Sequence, residues 1–216
     1  MVEIIPAIMP YTAKDLEEKL KLVTDLVDWV QIDIMDGIFV PEKTLPFTDE
    51  AFDYSIFNIQ YSKFSFELDL MVRNAGAHMQ RWLDFHPKRI IFHIEAETEM
   101  PSILDRKRQD LEYGIAFDDD TPIDELEPFI EQIDFIQCMG IDEIGKQGEP
   151  FEPRVLENLA NLREKYPSLI LSVDGGVNLE TAKKLIAAGA SRLVVGSSIF
   201  GADDPTVALR DLKNVK

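Results

Sequence analysis

Cysteine, cationic residues and long apolar runs are all scarce in this chain. Of its 216 residues only Cys138 is a cysteine. One thiol excludes an internal disulfide framework and fits a reducing, cytoplasmic compartment. Lysine and arginine total 22 against 40 aspartates and glutamates, a formal net charge of −18 at pH 7. That balance argues against nucleic acid or an anionic membrane as partner. It also requires any anionic ligand to be held by local groups, because the overall field repels it. No run reaches the roughly 20 apolar residues of a membrane span. The opening Val2-Glu3-Ile4-Ile5-Pro6 lacks the basic-then-apolar pattern of a secretory signal.

What the chain does have is alternation. Short β-branched or apolar segments at 2–8, 29–34, 64–71, 89–94, 113–117, 135–138, 169–173 and 192–195 read as strands. Helical patterns follow at 12–27, 77–84, 99–108, 123–130, 153–165, 179–188 and 205–212, with Thr12 placed to cap the first. Strand–helix alternation implies parallel pairing, and eight such units imply closure into a (β/α)8 TIM barrel rather than an open doubly wound sheet. No linker divides the chain, so one domain over 1–216 is expected. The irregular stretches 37–61 and 139–152 follow strands at one end of such a barrel and are candidate lids.

Carboxylates collect where barrel enzymes place their chemistry. Alternation puts Gln31, Asp33 and Met35 on one face of the second strand, and Glu67, Asp69 and Met71 on one face of the third. Asp174 closes the seventh strand and His93 the fourth. Like charges crowded around one mouth call for a shared cation or proton. A solvated polar rim is the bland alternative for any one of them. The turns Gly175-Gly176 and Gly196-Ser197-Ser198 end the last two strands, where barrels often hold phosphate. Met35, Met71 and Met139 lie at the level of these groups and suggest a soft apolar lining. Cys138 has no activating neighbour in sequence and reads as a buried small hydrophobe.

Taken together, several motifs resemble the ribulose-phosphate 3-epimerase family. They are Asp33-Ile34-Met35-Asp36-Gly37 with Phe39-Val40-Pro41, Asp69-Leu70-Met71-Val72, His93-Ile94-Glu95, Met139, Val173-Asp174-Gly175-Gly176-Val177 and Gly196-Ser197-Ser198-Ile199-Phe200. The resemblance implies a ribulose-phosphate-binding barrel acting on a phosphorylated pentulose. It implies that Asp33 and Asp174 face each other across the substrate, one removing and one delivering a proton at C3. It also implies a divalent metal on Gln31, Asp33, Asp69 and Asp174, with Met35, Met71, Met139, Gly175, Gly176, Gly196, Ser197 and Ser198 around the substrate.

The departures from that pattern are specific. Two histidine ligands of the family are Gln31 and Asp69 here, giving an all-oxygen set that favours Mg²⁺ or Mn²⁺ over Zn²⁺. The serine after the first-strand proline is Ala7. The glycine-rich loop after the sixth strand is replaced by Ile141-Asp142-Glu143-Ile144-Gly145-Lys146-Gln147-Gly148. Lys146 there is either a new phosphate contact or a solvated lid lysine. The Asp-x-Lys-x-x-Asp signature of the decarboxylase and hexulose-phosphate synthase branch is missing at Asp69-Leu70-Met71. Two readings stand beside the epimerase: a barrel of the same superfamily acting on another sugar phosphate, and a non-catalytic sugar-phosphate binder. Association into a homo-oligomer is left open by the sequence.

Overall fold

The structure is a computed structural model that describes residues 2–49, 51–53 and 65–215. Eight parallel strands close into a barrel in strict sequence order. They are β1 (Glu3–Ile8), β2 (Trp29–Met35), β3 (Ser65–Met71), β4 (Arg89–His93), β5 (Glu112–Phe117), β6 (Phe135–Met139), β7 (Ile170–Asp174) and β8 (Arg192–Val195). β8 pairs back onto β1, with Glu3 opposite Arg192 and Pro6 opposite Val195. The α-helices are α1 (Ala13–Val23), α2 (Met79–Leu83), α3 (Met100–Leu104), α4 (Arg154–Lys165), α5 (Leu179–Ala187), α6 (Ser197–Phe200) and α7 (Pro205–Lys213).

Alternation along each strand sorts the residues into two cores. One face of β2 and β3 (Val30, Ile32, Ile34, Phe66, Leu68, Leu70) joins the main core under the helices. That core also takes Leu16, Leu20 and Val23 of α1 and Val155, Leu159 and Leu162 of α4. The other face points into the barrel and changes character along its axis. At the N-terminal end it is charged: Arg89 bonds Glu67 at 3.0 Å, Glu112 at 3.0 Å and Glu3 at 3.3 Å, and its guanidinium stacks 3.3 Å from the Trp29 ring centroid. Higher up, small apolar clusters of Ile5, Ala7 and Val194, and of Ile91, Ala116 and Phe135, fill the barrel. Gly114 is needed there, because a Cβ would fall 2.4 Å from the Phe135 ring. The C-terminal end is polar again.

Several helices differ from the sequence expectation. The first ends at Val23, and Asp25 follows with φ 65°, outside a helix. α3 stops at Leu104, where the apolar spacing ends and Lys107 turns to Gln132 O. The expected helix 77–84 begins as a 3-10 turn, Ala75–His78, before α2. Ile123–Phe129 is 3-10 throughout, with Pro128 inside it lacking the amide an α-helix needs. Part of the expected lid 37–61, residues 50 and 54–61, lies outside the described residues. No helix among the described residues is long and apolar enough to cross a membrane.

The ion network at the barrel floor yields a stability prediction. Glu67 is 1% exposed and relies on Arg89 for its charge. Truncating Arg89→Ala should destabilise the protein by about 3–5 kcal/mol, because a buried carboxylate is left uncompensated. Denaturant unfolding checks this, and a loss under about 1 kcal/mol would show the network to be dispensable.

Candidate active site

Register assembles the mouth of the barrel. Asp33 sits directly beside Asp69 across β2 and β3, and Met139 beside Asp174 across β6 and β7. One oxygen each of Asp33, Asp69 and Asp174 lies within 4.8 Å of the others. Gln31 bridges two of them: Nε2 donates to Asp33 Oδ1 at 2.8 Å and to Asp174 Oδ2 at 2.7 Å. Asp69 is held from the other side. His93 Nε2 lies 2.8 Å from Asp69 Oδ1, and Gln137 Nε2 donates to Asp69 Oδ2 at 3.1 Å. Ser172 Oγ in turn donates to Gln137 Oε1 at 3.3 Å. His93 is thus a packed, hydrogen-bonded barrel histidine, and its ring lies 5.4 Å from that of Phe39.

Burial dominates the electrostatics here. It pushes the Asp33 carboxyl well above the ordinary range, with the charges of Asp174 and Asp69 adding and the Gln31 bond opposing. Burial raises Asp174 to about 7, with Asp69 adding and Gln31 again opposing. For His93 burial pulls downward, yet the charge and hydrogen bond of Asp69 prevail and leave it raised. Three carboxylates this close cannot all ionise unless a proton or cation is shared among them.

The residues present fit a divalent cation. The donor set is oxygen-rich and anionic, as hard ions prefer. Gln31 Oε1 is buried with no hydrogen-bond partner. Turning the carboxamide would swap its bridging nitrogen for that oxygen, so Gln31 can serve as a bridge or as a ligand.

Beside the carboxylates lie the two glycine turns. Gly175 and Gly176 have φ of 93° and 66°, a region that L side chains rarely adopt. A Cβ on Gly176 would also fall 2.9 Å from Gly140 O and 2.9 Å from Phe151 Cα. Asn178 caps α5 by accepting from Glu180 N and Thr181 N, which leaves the glycine turn ahead of it free of that task. Gly196 opens the one-turn α6, whose first amides have no partner within the helix.

One cavity joins these parts. It is lined by Asp33, Asp174, Met71, Met139, Gly175, Gly176, Gly196 and Ser197 of the expected residues. The other four do not line it: Gln31 and Asp69 sit in the hydrogen-bond network already described, and Met35 and Ser198 are placed differently. Met35 is fully buried against Met9, Val40 and Met71, behind the lining. Ser198 turns its Oγ to Val177 O at 2.7 Å. The cavity also takes Ile141 and the segment 145–149 of the candidate lid 139–152, and Met9, which sequence reasoning did not assign to it. Neither did it find Gln137, whose only cue was a polar residue on the inward face of β6. The loop after β6 is pinned at its ends, with Gly140 N donating to Asp174 O and Glu152 N to Gly140 O. Asp36, of the family-like motif, serves structure: it accepts from Ile38 N, Phe39 N and Arg73 N.

The ribulose-phosphate 3 epimerase family matches residues 3–200. The ribulose-phosphate 3-epimerase of Schizosaccharomyces pombe is 30% identical over 98% of this chain and 92% of its own length. That of Helicobacter pylori strain J99 is 28% identical over 100% of this chain and 98% of its own. Among solved structures, 3-hexulose-6-phosphate synthase from Salmonella typhimurium superposes with a TM-score of 0.75 at 16% identity, covering 99% of this chain and 98% of that one. The 3-keto-L-gulonate-6-phosphate decarboxylase of Vibrio cholerae gives 0.72 at 16% identity, covering 100% and 99%. These structural likenesses speak to the fold alone, a closed barrel of eight parallel strands. With the family matched across nearly the whole chain, the protein belongs to the ribulose-phosphate 3 epimerase family of sugar-phosphate epimerases.

Proposed function

We propose that this chain interconverts D-ribulose 5-phosphate and D-xylulose 5-phosphate by moving a proton at C3 between Asp33 and Asp174. The observation that carries this reading is the pair of carboxylates, Asp33 buried and Asp174 partly buried, that share the Gln31 carboxamide at 2.8 and 2.7 Å beside two glycine turns. A family match at about 30% identity supports the chemistry.

The steps follow from the residues. One carboxylate, ionised, takes the C3 proton, which is acidic because C2 is a carbonyl. The electron pair moves to the C2 oxygen and leaves an enediolate. The partner carboxyl, protonated, delivers its proton to the opposite face of C3, and the C2 carbonyl re-forms. The two groups end with their protonation states exchanged and reset through solvent. Raised affinity for protons suits both roles, since each group must carry a proton in one half of the cycle. As a bridge, Gln31 holds both carboxylates through its Nε2. Asp33, Asp69 and Asp174, with Gln31 able to turn and join them, would hold a divalent cation, which would supply positive charge to the developing oxyanion. Met71 and Met139 line the cavity and keep water from the reacting carbon. The turns Gly175-Gly176 and Gly196-Ser197 are the phosphate grip in this proposal.

Substituting Asp33→Asn or Asp174→Asn should each lower turnover of D-ribulose 5-phosphate by about 10²–10⁴-fold. Proton NMR of the sugar checks this, and wild-type turnover by either variant would remove that residue from the proton pair.

The carboxylate pair also makes stability depend on pH. The folded pKa of Asp174 lies near 7 against 3.8 for the free side chain. Its protonated form is therefore favoured in the fold. The stabilisation is complete below about pH 4 and disappears as pH rises through about 7. In chelator-treated protein the wild type should lose stability over that range relative to Asp174→Asn. Mg²⁺ should raise the melting temperature at pH 8 and not at pH 4.5, where protons neutralise the carboxylates. Parallel pH profiles for the two proteins, with no Mg²⁺ effect, would contradict this.

A further inference from the structure

The loop after β6 is where the chain departs most from its family pattern, and it brings charge to the cavity. Lys146 is the only cationic side chain among the described residues that line the cavity, which also contains Asp33, Asp174 and Glu149. A phosphate monoester carries close to two negative charges at pH 7. It would enter a carboxylate-lined cleft of a protein with net charge −18. Backbone amides and glycine turns supply only partial charges, so one full positive charge at this position changes the balance.

The chain on both sides of Lys146 is seated on the cavity walls. Gly145, with φ 84°, packs on Val40, where an added Cβ would lie 2.8 Å from the valine Cβ. Gln147 lies over the second glycine turn, with its Nε2 2.7 Å from where a Cβ on Gly196 would be. The lysine therefore projects from a segment fixed next to Gly196. Its side chain is 40% exposed and pairs with Glu143, three residues earlier in the same loop, itself 64% exposed. Such an exposed pair contributes little, so a dianion competes with it readily. The four-carbon stem lets the ammonium re-aim without moving the backbone.

We infer that Lys146 is the phosphate-recognising cation of this protein and that Glu143 is its resting partner. On binding, the ammonium leaves Glu143 for the phosphate oxygens while the loop backbone stays in place. This inference rests on the sugar-phosphate reading of the site and adds a side-chain charge to the backbone grip.

Calorimetric titration of the full-length protein with inorganic phosphate tests it apart from any reaction. Lys146→Met should weaken phosphate binding about tenfold or more, near 1.4 kcal/mol, and Lys146→Arg should recover most of it. Glu143→Gln removes the competing carboxylate and should tighten binding by about two- to fivefold. A lysine that merely built the loop would make Glu143→Gln weaken binding as Lys146→Met does, and that result would overturn the inference. Equal affinity of wild type and Lys146→Met would overturn it too. Lysine-dependent phosphate binding without turnover of D-ribulose 5-phosphate would uphold the lysine and reject the epimerase reading. No phosphate binding by the wild type would reject both.

Discussion

Everything at the mouth of this barrel depends on keeping three carboxylates together where water is largely excluded. Asp33 and Asp69 are 3% and 0% exposed, and one oxygen of each lies within 4.8 Å of Asp174. Burial and mutual repulsion both favour protonation or a cation. Gln31 relieves part of this by giving one carboxamide nitrogen to two acids. His93 and Gln137 do the same for Asp69 from below. A site with spare affinity for positive charge is chemically primed: it takes up a proton, holds a hard cation, or does both in turn.

The barrel supplies this arrangement through register. Inward residues of β2 and β3 run Trp29–Gln31–Asp33–Met35 beside Ser65–Glu67–Asp69–Met71, aligned pair by pair. The charged floor around Arg89 and Glu67 and the polar mouth are separated by small apolar clusters. That separation keeps the Arg89 cation on Glu67 rather than on the mouth carboxylates. Within the mouth His93 serves Asp69, and the remaining positive charge for Asp33 and Asp174 comes from a proton, a metal ion or, as proposed, the lid lysine.

Much of this was legible in the chain because parallel strands buried on both faces show themselves as β-branched runs, with their inward polar residues at every second position. Asp33, Asp69 and Asp174 stand out for that reason, and Thr12 as the α1 cap because its hydroxyl accepts from Asp15 N. The glycine pair 175–176 is legible because the positive φ of this turn suits that residue. Less was legible where the outcome depends on distant partners. The link from His93 to Ser172 runs through β3 and β6 on opposite parts of the barrel, and no spacing announces it. Met35 and Met71 share a face, yet only Met71 reaches the cavity, because Val40 and Met9 cover Met35. The 3-10 form of Ile123–Phe129 was obscured by a helical apolar spacing that Pro128 overrides. Lys146 reads either way from the sequence, because loop spacing does not fix where a side chain points.

The central claim is that two carboxylates, not one, serve C3 from opposite faces. The most direct measurement is the early fate of deuterium when D-ribulose 5-phosphate is turned over in D₂O. Two groups, each delivering a proton drawn from solvent, predict D-xylulose 5-phosphate carrying one deuterium at C3, while substrate recovered at low conversion carries none. Deuterium appearing at C3 of recovered substrate as fast as in product would mean that a single group both removes and returns the proton, and would contradict the pairing of Asp33 with Asp174.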